Sequence, residues 1–148
     1  MIRLTVQGCE YIESWEGCEL YEYPDSGGLP TIYIGHLIKF GETFNHTREE
    51  AEAVFEKDID NTEKAVMSML KVEVNDNQYL ALVDMAYNAG VGALQHSHTL
   101  ALINGGADKS SVGDIIERAF VTVHKDGKVI VVSGLVARRK ADANLWMS

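Results

Sequence analysis

The sequence predicts an α+β fold: a small N-terminal antiparallel sheet lobe and a larger helical C-terminal lobe, joined by one long helix. Three observations support this. An apolar stripe at helical spacing opens the chain, residues 17–45 then break into short runs punctuated by glycine and proline, and from residue 47 apolar side chains recur at helical spacing. The 148 residues read as one domain, 1–148. The sheet lobe covers about 17–45 and the helical lobe about 47–148, which also takes in a first helix over 5–16.

Residues 5–16 form that first helix, with Thr5 as its cap and Cys9, Ile12 and Trp15 along one face beside Tyr11. Gly17, the run Pro24-Asp25-Ser26-Gly27-Gly28, Gly35 and Gly41 then mark turns, and Thr31-Ile32-Tyr33-Ile34 alternates as a strand does. Thr47-Arg48-Glu49-Glu50 has the spacing of a capping box, with Phe44 as its hydrophobic staple. The stripe Ala51, Val54, Phe55, Ile59, Thr62, Val66, Met69 and Leu70 makes one long helix. Asn75 caps the next, which turns Tyr79, Leu82, Val83 and Ala86 toward a core and stops at Gly90. Further helices are expected near 97–104, over 110–120 and over 134–146. Lys125-Asp126-Gly127-Lys128, between two valine-rich runs, is a hairpin turn.

Composition narrows the class. Apolar residues make up 46% and charged residues 24%, as in an ordinary globular chain. No apolar run approaches the roughly 20 residues of a membrane helix. The opening MIRLTVQGCEY lacks a secretory apolar stretch, so no membrane anchor is expected and the chain is expected to stay in a cytoplasm. Cys9 and Cys18 then read as small buried hydrophobes in a reducing compartment. Thirteen Lys and Arg against 22 Asp and Glu give −9, which argues against nucleic acid as a partner.

Two carboxyl groups stand out. Glu16 closes the first helix beside Trp15, where loss of solvation raises a carboxyl pKa. Asp25 lies in a turn that water reaches, where a carboxylate stays ionised. Carboxyls pushed apart in this way are the equipment of glycosidic cleavage, although Asp after Pro and Glu at a helix end are also ordinary structural choices. The five histidines are scattered. His96-Ser97-His98 lacks a carboxylate spaced to complete a zinc set, so no metal and no cofactor is expected. Ser97 has no Gly-x-Ser-x-Gly elbow around it. Arg138-Arg139-Lys140 is either a solvated helix face or the source of a cation for a buried carboxylate.

Trp15-Glu16-Gly17, Tyr23-Pro24-Asp25 and Thr31-Ile32-Tyr33-Ile34-Gly35-His36 together resemble the phage-type lysozymes, glycoside hydrolase family 24. Glu16 to Asp25 is nine residues and Asp25 to Thr31 is six, as in that family's pattern. Asn77-Gln78 through Tyr87-Asn88-Ala89-Gly90 is similar to its central helix. Gly134-Leu135-Val136 with Arg138-Arg139 and Leu145-Trp146 is similar to its closing helix, so the resemblance spans about residues 5 to 146.

The resemblance implies a lysozyme-like fold with a saccharide cleft between its lobes. It also implies an endolysin that cuts peptidoglycan glycan strands between N-acetylmuramic acid and N-acetylglucosamine. Glu16 would be the general acid, Asp25 would orient the attacking water, and Thr31 would help hold it. Arg138 would be the cation near Glu16, with Arg139 as the competing neighbour. His36 belongs to the same supporting set. The protein would act as a monomer, and it would wait in the host cytoplasm until a holin releases it to the wall.

Several positions depart from the family. Tyr33 stands where the family keeps glycine, and strand alternation puts it on the face of Thr31, at the cleft floor. There it would either stack on a sugar or block the subsite. A blocked cleft would make the protein a weak, binding-only relative, and a lytic transglycosylase is the other alternative. Asp142 replaces the glutamate usual after the paired arginines. With a net charge of −9, only a local basic patch such as Arg138-Arg139-Lys140 would draw in an anionic wall polymer.

Overall fold

The computed structural model describes residues 2–148, and Met1 lies outside the described residues. Helix α1 (Val6–Glu16) begins where the Thr5 side chain accepts from the Gly8 N–H, and it ends at Gly17, whose φ of 69° suits only glycine without strain. Three short strands follow: β1 (Glu19–Pro24), β2 (Pro30–Tyr33) and β3 (His36–Leu37). They pair antiparallel in the order β1-β2-β3, with Tyr23 opposite Thr31 and Ile32 opposite His36.

Strand β2 stops at Tyr33 because its φ is 59°, left-handed backbone that costs a non-glycine residue about 1–3 kcal/mol. That turn breaks the two-residue alternation, so Tyr33 does not share the face of Thr31. Its ring is fully buried with Ile32 and Ala51. The hydroxyl donates to the Glu50 carboxylate and accepts from the His46 N–H at 3.0 Å, and Phe44 sets its edge against the ring at 5.5 Å. The expectation of Tyr33 at the cleft floor is therefore corrected: it anchors the sheet to the helix beneath.

The same contacts revise the predicted capping box. The Thr47 side chain accepts from Glu50 N at 3.2 Å and starts the long helix α2 (Arg48–Met69). Glu50 does not reciprocate: its carboxylate takes Tyr33 and the Asn45 N–H, at 2.7 Å for the latter. A complete capping box lies instead at helix α3 (Asp76–Ala89), between Asn75 and Gln78.

Helix α2 buries Phe55, Ile59 and Val66 on the expected stripe, and also Glu63. The Glu63 carboxylate accepts the backbone N–H groups of Ile2, Arg3 and Leu4 at 2.7, 2.8 and 2.9 Å, and the Tyr79 hydroxyl at 3.0 Å. Four donors compensate a charge taken out of water.

Helix α3 runs through the main core, with Tyr79, Leu82, Val83, Met85 and Ala86 buried, and gives way at Gly90 (φ 106°) to an unanticipated short helix α4 (Val91–Gln95). Ser97 caps α5 (His98–Asn104), so Ser97 and its flanking histidines form a helix start. Then come α6 (Lys109–Arg118), the hairpin β4 (Thr122–Lys125) and β5 (Lys128–Val131), and α7 (Ser133–Met147), which packs on α3 and α6. Asp126 and Gly127 both have positive φ, 52° and 72°, the two-residue turn that matches strand twist. Cys9 and Cys18 are half-buried rather than buried. Among the described residues no helix is long and apolar enough to cross a membrane.

Candidate active site

A cleft of about 920 Å³ runs between the sheet and the helices. Its walls come from distant parts of the sequence: Glu16 at the end of α1, Asp25 and Thr31 around the β1–β2 turn, Tyr87 and Asn88 at the end of α3, His124 on β4 and Arg138 on α7. Folding thus brings Glu16, Asp25, Thr31 and Arg138 to one cavity. Tyr33 and His36 do not line it.

Glu16 sits with its side chain 13% exposed, and Arg138 Nη1 donates to its Oε1 at 2.5 Å. Burial pushes the Glu16 pKa up, opposed by the Arg138 guanidinium. The carboxyl lies against the backbone of Gly35, where a Cβ would come within 2.8 Å of Glu16 Cδ. Gly35 (φ 70°) is thus needed both for its backbone and for the space it leaves.

Asp25 shapes its own turn. Its Oδ1 accepts the N–H groups of Gly27 and Leu29 at 2.9 and 2.8 Å, while its backbone N–H donates to the Leu29 carbonyl at 2.9 Å. Both side-chain bonds fall on Oδ1, so the carboxylate is oriented with Oδ2 left to other partners. The Thr31 hydroxyl donates to the Leu29 carbonyl at 2.9 Å, which leaves its lone pairs to accept.

Arg138 and Arg139 have different roles. Arg138 grips Asp84 with two bonds, Nε to Oδ2 at 2.9 Å and Nη2 to Oδ1 at 2.6 Å, and reaches Glu16 with its third nitrogen. Arg139 turns the other way, onto Asp142 at 2.6 Å and the Asn88 side-chain oxygen. Both guanidiniums are buried and paired with acids, so the predicted basic patch does not exist. Neither arginine can draw a polymer in from solution.

His36 serves the sheet lobe. Its Nδ1 lies 2.7 Å from Asp58 on α2 and its Nε2 lies 3.1 Å from Glu42, contacts that push its pKa up. It ties β3 to the long helix. Asp84 was missed by the sequence reading, although a lone acid inside the apolar run Leu82-Val83-Asp84-Met85-Ala86 is a legible sign of a buried pair. Among the described residues no three His, Cys, Asp or Glu side chains are grouped to hold a metal ion.

Residues 13–142 match the family described as phage lysozyme. The chain belongs to that family. The endolysin of Salmonella phage P22 is 29% identical over 153 residues, covering all of both chains. The endolysin of Bacillus phage PZA is 31% identical over 156 residues, covering 99% of this chain and 56% of that one. Among solved structures, the endolysin of Escherichia coli O157:H7 phage FAHEc1 superimposes with a TM-score of 0.83 at 31% identity, covering 98% and 93% of the two chains. The muramidase domain of SpmX from Asticaccaulis excentricus does so with a TM-score of 0.82 at 25% identity, covering 97% of each. Membership of the phage lysozymes carries the α+β fold described above and a lysozyme's activity, glycosidic cleavage of peptidoglycan.

Proposed function

We propose that this phage lysozyme hydrolyses the bond between N-acetylmuramic acid and N-acetylglucosamine, with Glu16 as general acid and Asp25 with Thr31 positioning the attacking water. The observation that carries this reading is the meeting of these three residues, from separate segments, along one cleft with Arg138 fixing the Glu16 carboxyl. A buried carboxyl that holds its proton toward neutrality can protonate the departing oxygen as the bond breaks. The Asp25 carboxylate, oriented by two N–H groups, offsets the positive charge that grows on the sugar and takes the proton of the incoming water. Thr31 offers that water a lone pair.

The binding-only reading depended on Tyr33 standing in the cleft, and its burial elsewhere removes that support. The Asp25–Thr31 pair favours hydrolysis over transglycosylation, which needs no held water. The same proposal takes residues 1–148 as one domain acting as a monomer. It also keeps the protein in the host cytoplasm until a holin opens the way to the wall.

Digestion of purified Gram-negative peptidoglycan by the wild type and Glu16→Gln, with mass spectrometry of the products, tests the reading. Reducing-end muropeptides from the wild type alone are expected. Anhydro-ended products would move the reaction to transglycosylation, and lysis by Glu16→Gln would remove the acid.

A further inference from the structure

Behind Glu16 runs a continuous chain of ionisable groups that hydrolysis does not directly use. Arg138 bridges Glu16 and Asp84, Arg139 lies 3.5 Å from Asp84 and 2.6 Å from Asp142, and the Tyr11 hydroxyl donates to Asp142 at 2.9 Å. Asp84, Arg139 and Asp142 are fully buried. Three carboxyls therefore face two guanidiniums, and the set carries one net negative charge when all five are ionised. A buried net charge is costly, and taking up one proton relieves it.

Two acids compete for that proton. Asp84 sits between them, held by two bonds from Arg138 and 3.5 Å from Arg139. Glu16 and Asp142 occupy the two ends of the chain. We propose that Asp142 is a positioning residue that shares a single proton with Glu16 through the Arg139–Asp84–Arg138 bridge, and so sets the fraction of Glu16 ready to protonate a leaving group. This rests on Glu16 being the acid of the cleft. Burial and the facing Asp84 push Asp142 up, against the pull of Arg139 on its own helix and Tyr11 on α1. Glu16 faces Arg138 and Arg139 on α7, Asp84 and Tyr87 on α3, and Tyr23 on β1.

The sign follows from charge. Replacing Asp142 by a neutral side chain leaves two acids against two arginines. Glu16 then ionises without creating a net charge, and its proton is held more weakly.

Carbon-13 NMR of glutamate-labelled protein, with the Glu16 signal identified by its loss in Glu16→Gln, follows that proton directly. Asp142→Asn is expected to lower the Glu16 midpoint by about one unit, a tenfold change in the proton's equilibrium. The alkaline limb of kcat/KM on peptidoglycan should move down with it, and Asp142→Glu should restore both.

Tyr11→Phe gives a second, milder test should Asp142→Asn fail to fold. Losing the Tyr11 hydrogen bond strengthens the hold of Asp142 on the proton, so the Glu16 midpoint falls here too, by less. An unmoved midpoint in every variant that folds would make Asp142 a structural brace and overturn the proposal. A midpoint that moves while the activity limb stays would uphold the shared proton and overturn Glu16 as the acid.

Discussion

Gly35 and Glu16 are packed so closely that the glycine's missing side chain makes room for the carboxyl. A methyl group there would lie 2.8 Å from Glu16 Cδ, and the φ of 70° independently disfavours any Cβ. One residue of the sheet lobe thus fixes how far the cleft acid, held from the other side by Arg138, can move.

Gly35→Ala is therefore expected to cost more activity than stability. A displacement of about 1 Å at a reacting group can lower kcat on the order of a hundredfold. The backbone strain should exceed about 1 kcal/mol. Turnover on purified peptidoglycan alongside thermal unfolding checks this, and a variant with full kcat would show that the carboxyl has room elsewhere.

Tyr33→Gly should not open the cleft, because the ring does not line it. Glycine relieves the left-handed strain but leaves an aromatic-sized gap beside Ile32 and Ala51, and loss of a buried aromatic ring costs about 3–5 kcal/mol. The net expectation is a destabilised protein whose kcat per folded molecule is unchanged. Urea unfolding with activity normalised to the folded fraction separates the two, and a several-fold rise in kcat would return the ring to the cleft.

His36 predicts a pH-dependent share of stability. Its pKa is raised in the folded protein, chiefly by hydrogen bonding to Asp58 with Glu42 helping. A raised group stabilises fully below its unfolded value of about 6.5, and the contribution is lost as pH rises through the folded value. The Tm difference between wild type and His36→Asn should be largest near pH 6 and shrink steadily above about 7. A difference that is flat from pH 6 to 9 would mean that neutral His36 makes the same contacts.

Glu63 holds the N-terminal segment by three backbone N–H groups. Glu63→Gln turns part of that acceptor into a donor, which should cost about 1–3 kcal/mol for each group left without a partner. Hydrogen exchange at Ile2, Arg3 and Leu4 should quicken first, with the cleft intact and kcat unchanged. Unchanged protection at those amides would show that Arg3, stacked 4.5 Å from the Tyr79 ring centroid, holds the segment unaided.

Much of the fold was legible because its signals are local. Thr5, Asn75 and Gly90 begin or end helices through their own side chains or backbone freedom, and Asp126-Gly127 makes its turn from two residues. The Thr47 box failed for a tertiary reason: Tyr33 and Asn45 compete for the Glu50 carboxylate, and spacing along one helix cannot register a competitor from a strand. Helix α4 was missed because five residues carry too little periodicity to show.

The site divides in the same way. The residues' own surroundings, a carboxyl beside Trp15 at a helix end and another in a turn, nominated Glu16 and Asp25, and the resemblance to the phage-type lysozymes added Thr31 and Arg138. The choice of Arg138 over Arg139 belongs to the packing of α7 on α3, which aims one guanidinium at Glu16 and its neighbour at Asp142. The place of Tyr33 turned on a single left-handed φ, and the one surplus charge of the cluster that includes Glu16 arose only when three acids and two arginines were brought together. Torsion preferences and caps act between residues a few positions apart. Desolvation and charge pairing depend on which distant groups are buried side by side, and only the folded chain decides that.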